Sequence, residues 1–155
     1  GGDAVGPGGC ADHFHAGLTA DDPGYQRRAV CAQELSAVTA ACLLTHRELF
    51  LSLGGLDDLN LPVAFNDVDY CLRAGEAGWR IVWTPFAELY HHESVSRGKD
   101  VTPQQLARAQ KELRYMKKRW AQRLKHDPAY NPNLSYDRPD FSLSHAPNVV
   151  LPWMK

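Results

Sequence analysis

The chain has 155 residues, 44% of them hydrophobic and 23% charged, with a formal net charge of -1. That balance fits one globular domain able to bury a core, and bulk charge offers no ground for nucleic-acid binding. The longest apolar runs, near Ala37–Leu44 and Phe50–Leu53, are too short to span a bilayer, and Gly1–Gly9 has no basic, apolar leader pattern; the cysteines demand no oxidising compartment, so a cytoplasmic setting is expected.

In chain order, Gly1, Gly2, Gly6, Gly8 and Gly9 read as a loop by composition, and Asp21–Asp22–Pro23–Gly24 as a turn. Residues 1–34 are therefore expected to form a flexible glycine-rich segment, and the chain reads as if it starts in the middle of a larger domain. Ala37–Leu44 is expected to be a buried strand. Thr45 and Glu48 have capping-box spacing and predict a helix over His46–Leu53, stopped by Gly54 and Gly55. Leu56–Phe65, with Asp57, Asp58, Asn60 and Pro62, is a loop. Asn66 is an N-cap candidate with Asp69 as its reciprocal partner, which predicts a helix over Asp67–Ala77. Its inward face would be Val68, Cys71, Leu72 and Gly75, with Gly78 as terminator.

Arg80–Trp83 reads as a strand in one small sheet with Ala37–Leu44, its flanking Trp79 and Trp83 buried, and Ala87–Tyr90 as a further short strand. Thr102–Pro103 opens a long helix to about Leu124. Leu106, Ala109, Leu113, Met116, Trp120 and Leu124 line one side, and Lys111, Arg114, Lys118 and Arg119 the other. Residues 35–126 thus form the body of the domain, and 127–155 an irregular tail packed across it. The four cysteines, Cys10, Cys31, Cys42 and Cys71, form no CxxC pair, so a zinc knuckle is not expected; Cys42 and Cys71 read as buried thiols.

Two segments carry chemistry. Asp67 falls in the first turn of its helix, where unpaired N–H groups and the helix dipole favour a carboxylate. Such a group is either a favourable first-turn acid or, at the mouth of a cleft, a general base for a hydroxyl. The second segment, Tyr90–Gly98, reads YHHESVSRG. His91 and His92 point to opposite faces of an extended chain, so one can face a cleft and join carboxylates and a diphosphate around Mn²⁺ or Mg²⁺. Ser94, Ser96 and Arg97 are suited to phosphate oxygens. The alternative is a pair of surface histidines on a loop. His13 and His15 fall in the glycine-rich start without an assigned role.

The segment Gly54–Gly55–Leu56–Asp57, followed by Asn66–Asp67–Val68–Asp69 and Arg73, resembles the inverting glycosyltransferases of family 2, with the GT-A fold, including rhamnosyl- and O-antigen-type enzymes of bacterial polysaccharide synthesis. The resemblance spans Ala37–Gly98 and, more loosely, runs to Leu143. It departs at Asn66, where many members have glutamate. It implies an α/β fold, a partial GT-A domain lacking the N-terminal nucleotide-binding half, with Asp67 as catalytic base. It places His91, with His92 as fallback, beside the metal and diphosphate. The expected substrates are a nucleotide sugar and a glycan acceptor, with Mn²⁺ or Mg²⁺ in the full-length enzyme and none held by this chain alone, which would be inactive and self-associating through an exposed apolar surface. Asp67 and His91 are expected to open onto one cleft. The competing reading is a non-catalytic module that binds a partner or an anionic surface through the basic face of the long helix.

Overall fold

The glycine-rich start of the chain, expected to be a loop, contains a buried strand. β1, Gly2–Val5, is buried along its whole length. It pairs antiparallel with β2, Ala11–His13, and on its other edge with β4, Ala37–Val38, giving the order β2-β1-β4. The small residues are there for packing: a β-carbon on Gly2 would run into the Leu35 side chain. Glycine in a strand can mark close approach rather than freedom. The computed structural model describes residues 2–19, 21–89, 102–149 and 153.

A second sheet has two antiparallel strands, β3, Gln33–Leu35, and β5, Ile81–Trp83, with Leu35 opposite Ile81. The expected single sheet joining Ala37–Leu44 to Arg80–Trp83 is therefore replaced by two. The apolar run leaves the ladder after Val38. Thr39 turns it into a 3-10 turn, Ala40–Cys42, by accepting the Ala41 amide on its hydroxyl, and Leu44 is 97% exposed. A side-chain hydroxyl that offers the backbone a local bond competes with sheet pairing. Cys42 is consequently exposed rather than buried, while Cys71 and Cys10 are buried. With only two strands in its sheet, Trp83 is half-buried, and Trp79, against His46 at the rim, is 46% exposed; neither is the core residue expected. Residues 87–89 form no strand.

The helices follow. α1, Arg47–Ser52, starts without a side-chain cap, because the Thr45 hydroxyl lies 2.6 Å from the Tyr70 hydroxyl instead of capping. A buried tyrosine hydroxyl needs a partner, and Thr45 is it. α2, Asn66–Glu76, begins one residue earlier than expected; Asn66 is its first residue, and the N-cap is Phe65, in the left-handed region at φ 62°. Its buried face is Val68, Asp69, Tyr70, Cys71, Leu72 and Ala74; Gly75 faces solvent. The chain reverses at Gly78, where φ is +87°, as a helix C-terminus favours.

α3, Pro103–Arg119, has the expected Thr102 cap and proline start, and Gln105 completes a capping box. It stops at Trp120, and a short α4, Ala121–Lys125, carries on. The break lies where the Trp120 indole enters the core, 4% exposed. The tail packs across the body as expected: Tyr130, Leu134 and Phe141 are buried with Phe14, whose ring stacks on Phe141 at 5.1 Å. Asp127 anchors its start, taking the Val5 amide at 3.0 Å, the Ala129 amide at 2.8 Å and the Ser36 hydroxyl.

Candidate active site

The acidic segment at the head of α2 divides into an outward and an inward carboxylate. Asp67 is half-buried. One of its oxygens accepts the Ala40 amide at 2.9 Å and the other the Val68 amide at 2.9 Å. It thus ties α2 to the turn after β4, and beside that turn opens a cleft of about 490 Å³ whose walls include Val38, Thr39, Cys42, Trp83 and Leu89.

Asp69, one step along, is fully buried and does not pair with Asn66 as a cap. It accepts the Trp120 indole N–H at 2.8 Å and the Arg73 guanidinium at 2.7 Å, with Arg119 at 3.3 Å. Arg73 continues the chain of bonds to the carbonyls of Leu53, at 2.6 Å, and Gly55, at 2.7 Å. Asp57 accepts the Asn60 amide at 3.0 Å and the Tyr115 hydroxyl at 2.8 Å. Partial burial pushes its carboxyl up, but these bonds and Arg119 outweigh that and hold it below the ordinary range. The spacing of the glycine pair, the acidic segment and Arg73 is therefore that of a latch: α2, α3 and the 53–60 loop are locked by groups sharing Asp57 and Asp69. Arg119 is turned into this latch and withdrawn from the basic face of α3.

Sequence reasoning missed two parts of the site. Asp3, in β1, is 3% exposed and lies 2.5 Å from Nδ1 of His13, its register partner on β2. Burial raises the Asp3 pKa, His13 lowers it in part, and the negative charge of Asp67 raises it further, so the pair stands in the field of Asp67. The same two carboxylates and, above all, burial push the Cys71 thiol up to about 11. The only sequence signal was an aspartate ten residues before a histidine in a segment that reads as a loop. The other part is Glu112 on α3, 1% exposed, which accepts the amides of Val63 at 3.1 Å and Ala64 at 3.2 Å and so holds the loop that delivers Asn66 and Asp67.

His91, His92, Ser94, Ser96 and Arg97 lie outside the described residues. Among the described residues, no group of three or more His, Cys, Asp or Glu side chains is arranged to hold a metal ion. Those residues therefore do not by themselves fit a divalent metal. No described helix is long and apolar enough to cross a membrane.

With this geometry in place, the relatives gain meaning. The chain is 51% identical over 140 residues to a Sinorhizobium fredii protein carried as uncharacterized protein y4gI, a match covering 90% of this chain and 15% of that protein. It is 40% identical over 111 residues to the O-antigen biosynthesis protein RfbC of Myxococcus xanthus, covering 72% of this chain and 8% of that one. Over 63 residues it is 40% identical to an N-acetylglucosaminyl-diphospho-decaprenol L-rhamnosyltransferase of Mycobacterium tuberculosis, covering 41% of this chain and 20% of the enzyme. The named relatives are thus a sugar transferase and a polysaccharide-synthesis protein, and the chain spans no more than a fifth of any of the three. No family model and no solved structure matches it.

Proposed function

We propose that this chain is the acceptor-side part of the catalytic domain of an inverting, family 2 glycosyltransferase with a GT-A fold, and that Asp67 is its general base. The observation that carries this reading is the division of labour in the acidic segment. Asp69 is committed to Arg73 and Trp120, while half-buried Asp67 is held by backbone amides alone among its described hydrogen bonds, one of them from the Ala40 turn whose Thr39 and Ala41 line the cleft of about 490 Å³. The similarity to an O-antigen biosynthesis protein and a rhamnosyltransferase supports the same class.

In this reading the Asp67 carboxylate takes the proton of an acceptor hydroxyl as that oxygen bonds to the anomeric carbon of the donor sugar. The bond from that carbon to the donor's phosphate oxygen breaks with inversion, and the nucleoside diphosphate leaves with the electron pair. Asn66 opens the helix that carries Asp67, and Arg73 ties that helix to the 53–55 loop. Ser94, Ser96 and Arg97 are proposed to meet the diphosphate, and His91, with His92 as the alternative, to face a divalent cation in the wider protein. The nucleotide-binding half would be supplied by the wider protein, the setting would be cytoplasmic, and the chain alone would be inactive.

The test is Asp67→Asn in an active protein carrying this segment. Transfer should fall by about 10²–10⁴-fold, with donor affinity nearly unchanged, since only proton acceptance is lost. Turnover that survives within about tenfold of the parent would remove Asp67 from the base role.

A further inference from the structure

A second cleft, of about 500 Å³, is lined by residues from β2, the segment 15–25 and the tail, among them His13, His15, Tyr25, Arg138, Asp140 and Phe141. We propose that it seats a sugar ring of the glycan acceptor. The identity of that glycan as the acceptor rests on the glycosyltransferase reading above; carbohydrate binding as such rests on the cleft.

Its chemistry is divided as a pyranose requires. One wall is a flat aromatic stack. The rings of Tyr25 and Phe141 lie 4.5 Å apart and within 4° of parallel, and His15 stacks on Phe141 at 5.2 Å. Tyr25 remains 41% exposed, so ring surface is presented to solvent. The edge of the stack is polar and of mixed sign: Asp22, His13, and the Arg138–Asp140 pair at 3.3 Å. A sugar ring has an apolar C–H face and a belt of hydroxyls that each donate and accept, so it uses both the platform and the mixed edge. A wholly apolar ligand would strand those polar groups away from water, and an anion would meet two carboxylates. The volume is that of a ligand pocket, on the order of 300–1,000 Å³.

The backbone supplies an independent observation. Among the described residues, five non-glycine residues have positive φ: His15 at 61°, Gln26 at 51°, Arg27 at 59°, Phe65 at 62° and Phe141 at 59°. His15 and Phe141 line this cleft, and Gln26 and Arg27 follow Tyr25 directly. The neighbouring turns use Gly17 at 82° and Gly24 at 67°, which adopt that geometry without strain. Bulky rings held in the left-handed region where glycine would serve mark a surface shaped for more than chain reversal. The packing that holds them is present: Phe14 lies against Phe141, and Arg28 stands 5.6 Å over the Phe14 ring and 5.7 Å over that of Phe141. Burial, then Arg28, lowers the His15 pKa, with Asp22 opposing; a neutral imidazole can both donate and accept. His13, on the cleft wall, is paired with buried Asp3 on β1.

The experiment is a titration of the 155-residue chain, followed by amide correlation NMR, with methyl glycosides of rhamnose, glucose, galactose and N-acetylglucosamine, and with inorganic phosphate as the anion control. At least one glycoside should shift the amides of His15, Tyr25 and Phe141 with saturation. Tyr25→Ala should weaken that binding roughly three- to tenfold. Arg138→Ala, at an exposed site that leaves the core untouched, should weaken it too. The proposal fails if no glycoside moves those amides at the solubility limit, if phosphate binds there more tightly than every glycoside, or if Tyr25→Ala binds with unchanged affinity. A silent cleft with an inactive Asp67→Asn enzyme would end this proposal alone. Sugar binding here with an undiminished Asp67→Asn enzyme would remove Asp67 from the base role and leave the carbohydrate site.

Discussion

Glu112 and Val63 are 49 residues apart in the chain and 3.1 Å apart in the fold, where the buried carboxylate accepts the Val63 amide and, through its other oxygen, the Ala64 amide at 3.2 Å. The bond pins the loop that ends at Phe65, whose left-handed backbone starts α2. A substitution at Glu112 therefore reaches Asp67 through the backbone. Glu112→Ala should cost about 2–4 kcal/mol, because two half-buried amides lose a charged acceptor. Urea denaturation measures this, and amide exchange at Val63 and Ala64 should accelerate together. A cost below about 0.5 kcal/mol would mean water replaces the carboxylate without loss.

Asp69 should be the more sensitive of the two aspartates in α2. It is fully buried and shared by Arg73 and Trp120, so Asp69→Ala leaves a guanidinium and an indole N–H without their acceptor. The expected loss is about 3–5 kcal/mol, as for a broken buried pair. Asp67→Asn keeps an oxygen for only one of the two amides that the carboxylate accepts, and these groups are half-buried, so the loss should be smaller, about 1–2 kcal/mol. Thermal unfolding of the two variants side by side tests the division between latch and base; equal losses would contradict it.

Buried Asp3 and Asp127 should titrate in the opposite sense to half-buried Asp57. Burial raises the pKa of Asp3 and Asp127 above the ordinary 3.8, although His13 opposes it at the first, and Ser36, Ala129 and Val5 at the second. The folded state then holds these protons more tightly than the unfolded one. Their contribution to stability is fully present below the ordinary value and is lost as pH rises through the raised folded values. Asp57 is depressed, so its contribution is present above the ordinary value and lost as pH falls through its folded value. Carboxyl carbon shifts followed by NMR should place the midpoints of Asp3 and Asp127 above that of Asp57. The reverse order would be inconsistent with the burial described.

The isolated chain is expected to self-associate. Leu44, Val82, Phe86 and Leu89 are 97%, 54%, 85% and 69% exposed, and three of the four line the cleft beside the Ala40 turn. Apolar surface gathered around one cleft favours cover by another surface, here a second copy. Sedimentation velocity should show mass above the monomer that falls on Leu44→Asp; a monomer at all concentrations would remove this expectation.

Local patterns in the sequence determined the parts whose physics is local. Thr102–Pro103 and Gly78 set helix ends because capping bonds and left-handed turns act within a few residues. The place of Asp67 in the first turn of α2 is local in the same way. What the tertiary structure decided was every partner reached over long separations. Thr45 has the spacing of a cap, yet it meets Tyr70, since a buried hydroxyl outcompetes a helix end that water can solvate. Asp69 has the spacing of a reciprocal cap, yet it is drawn to Arg73 and, 51 residues away, Trp120. Gly2 signals mobility by composition, but in a strand between two others it marks close contact with Leu35, and only the strand pairing that brings Asp3 opposite His13 distinguishes the two. Composition and spacing report what a residue can do next to its neighbours; burial chooses among those options, and burial depends on parts of the chain that no local pattern contains.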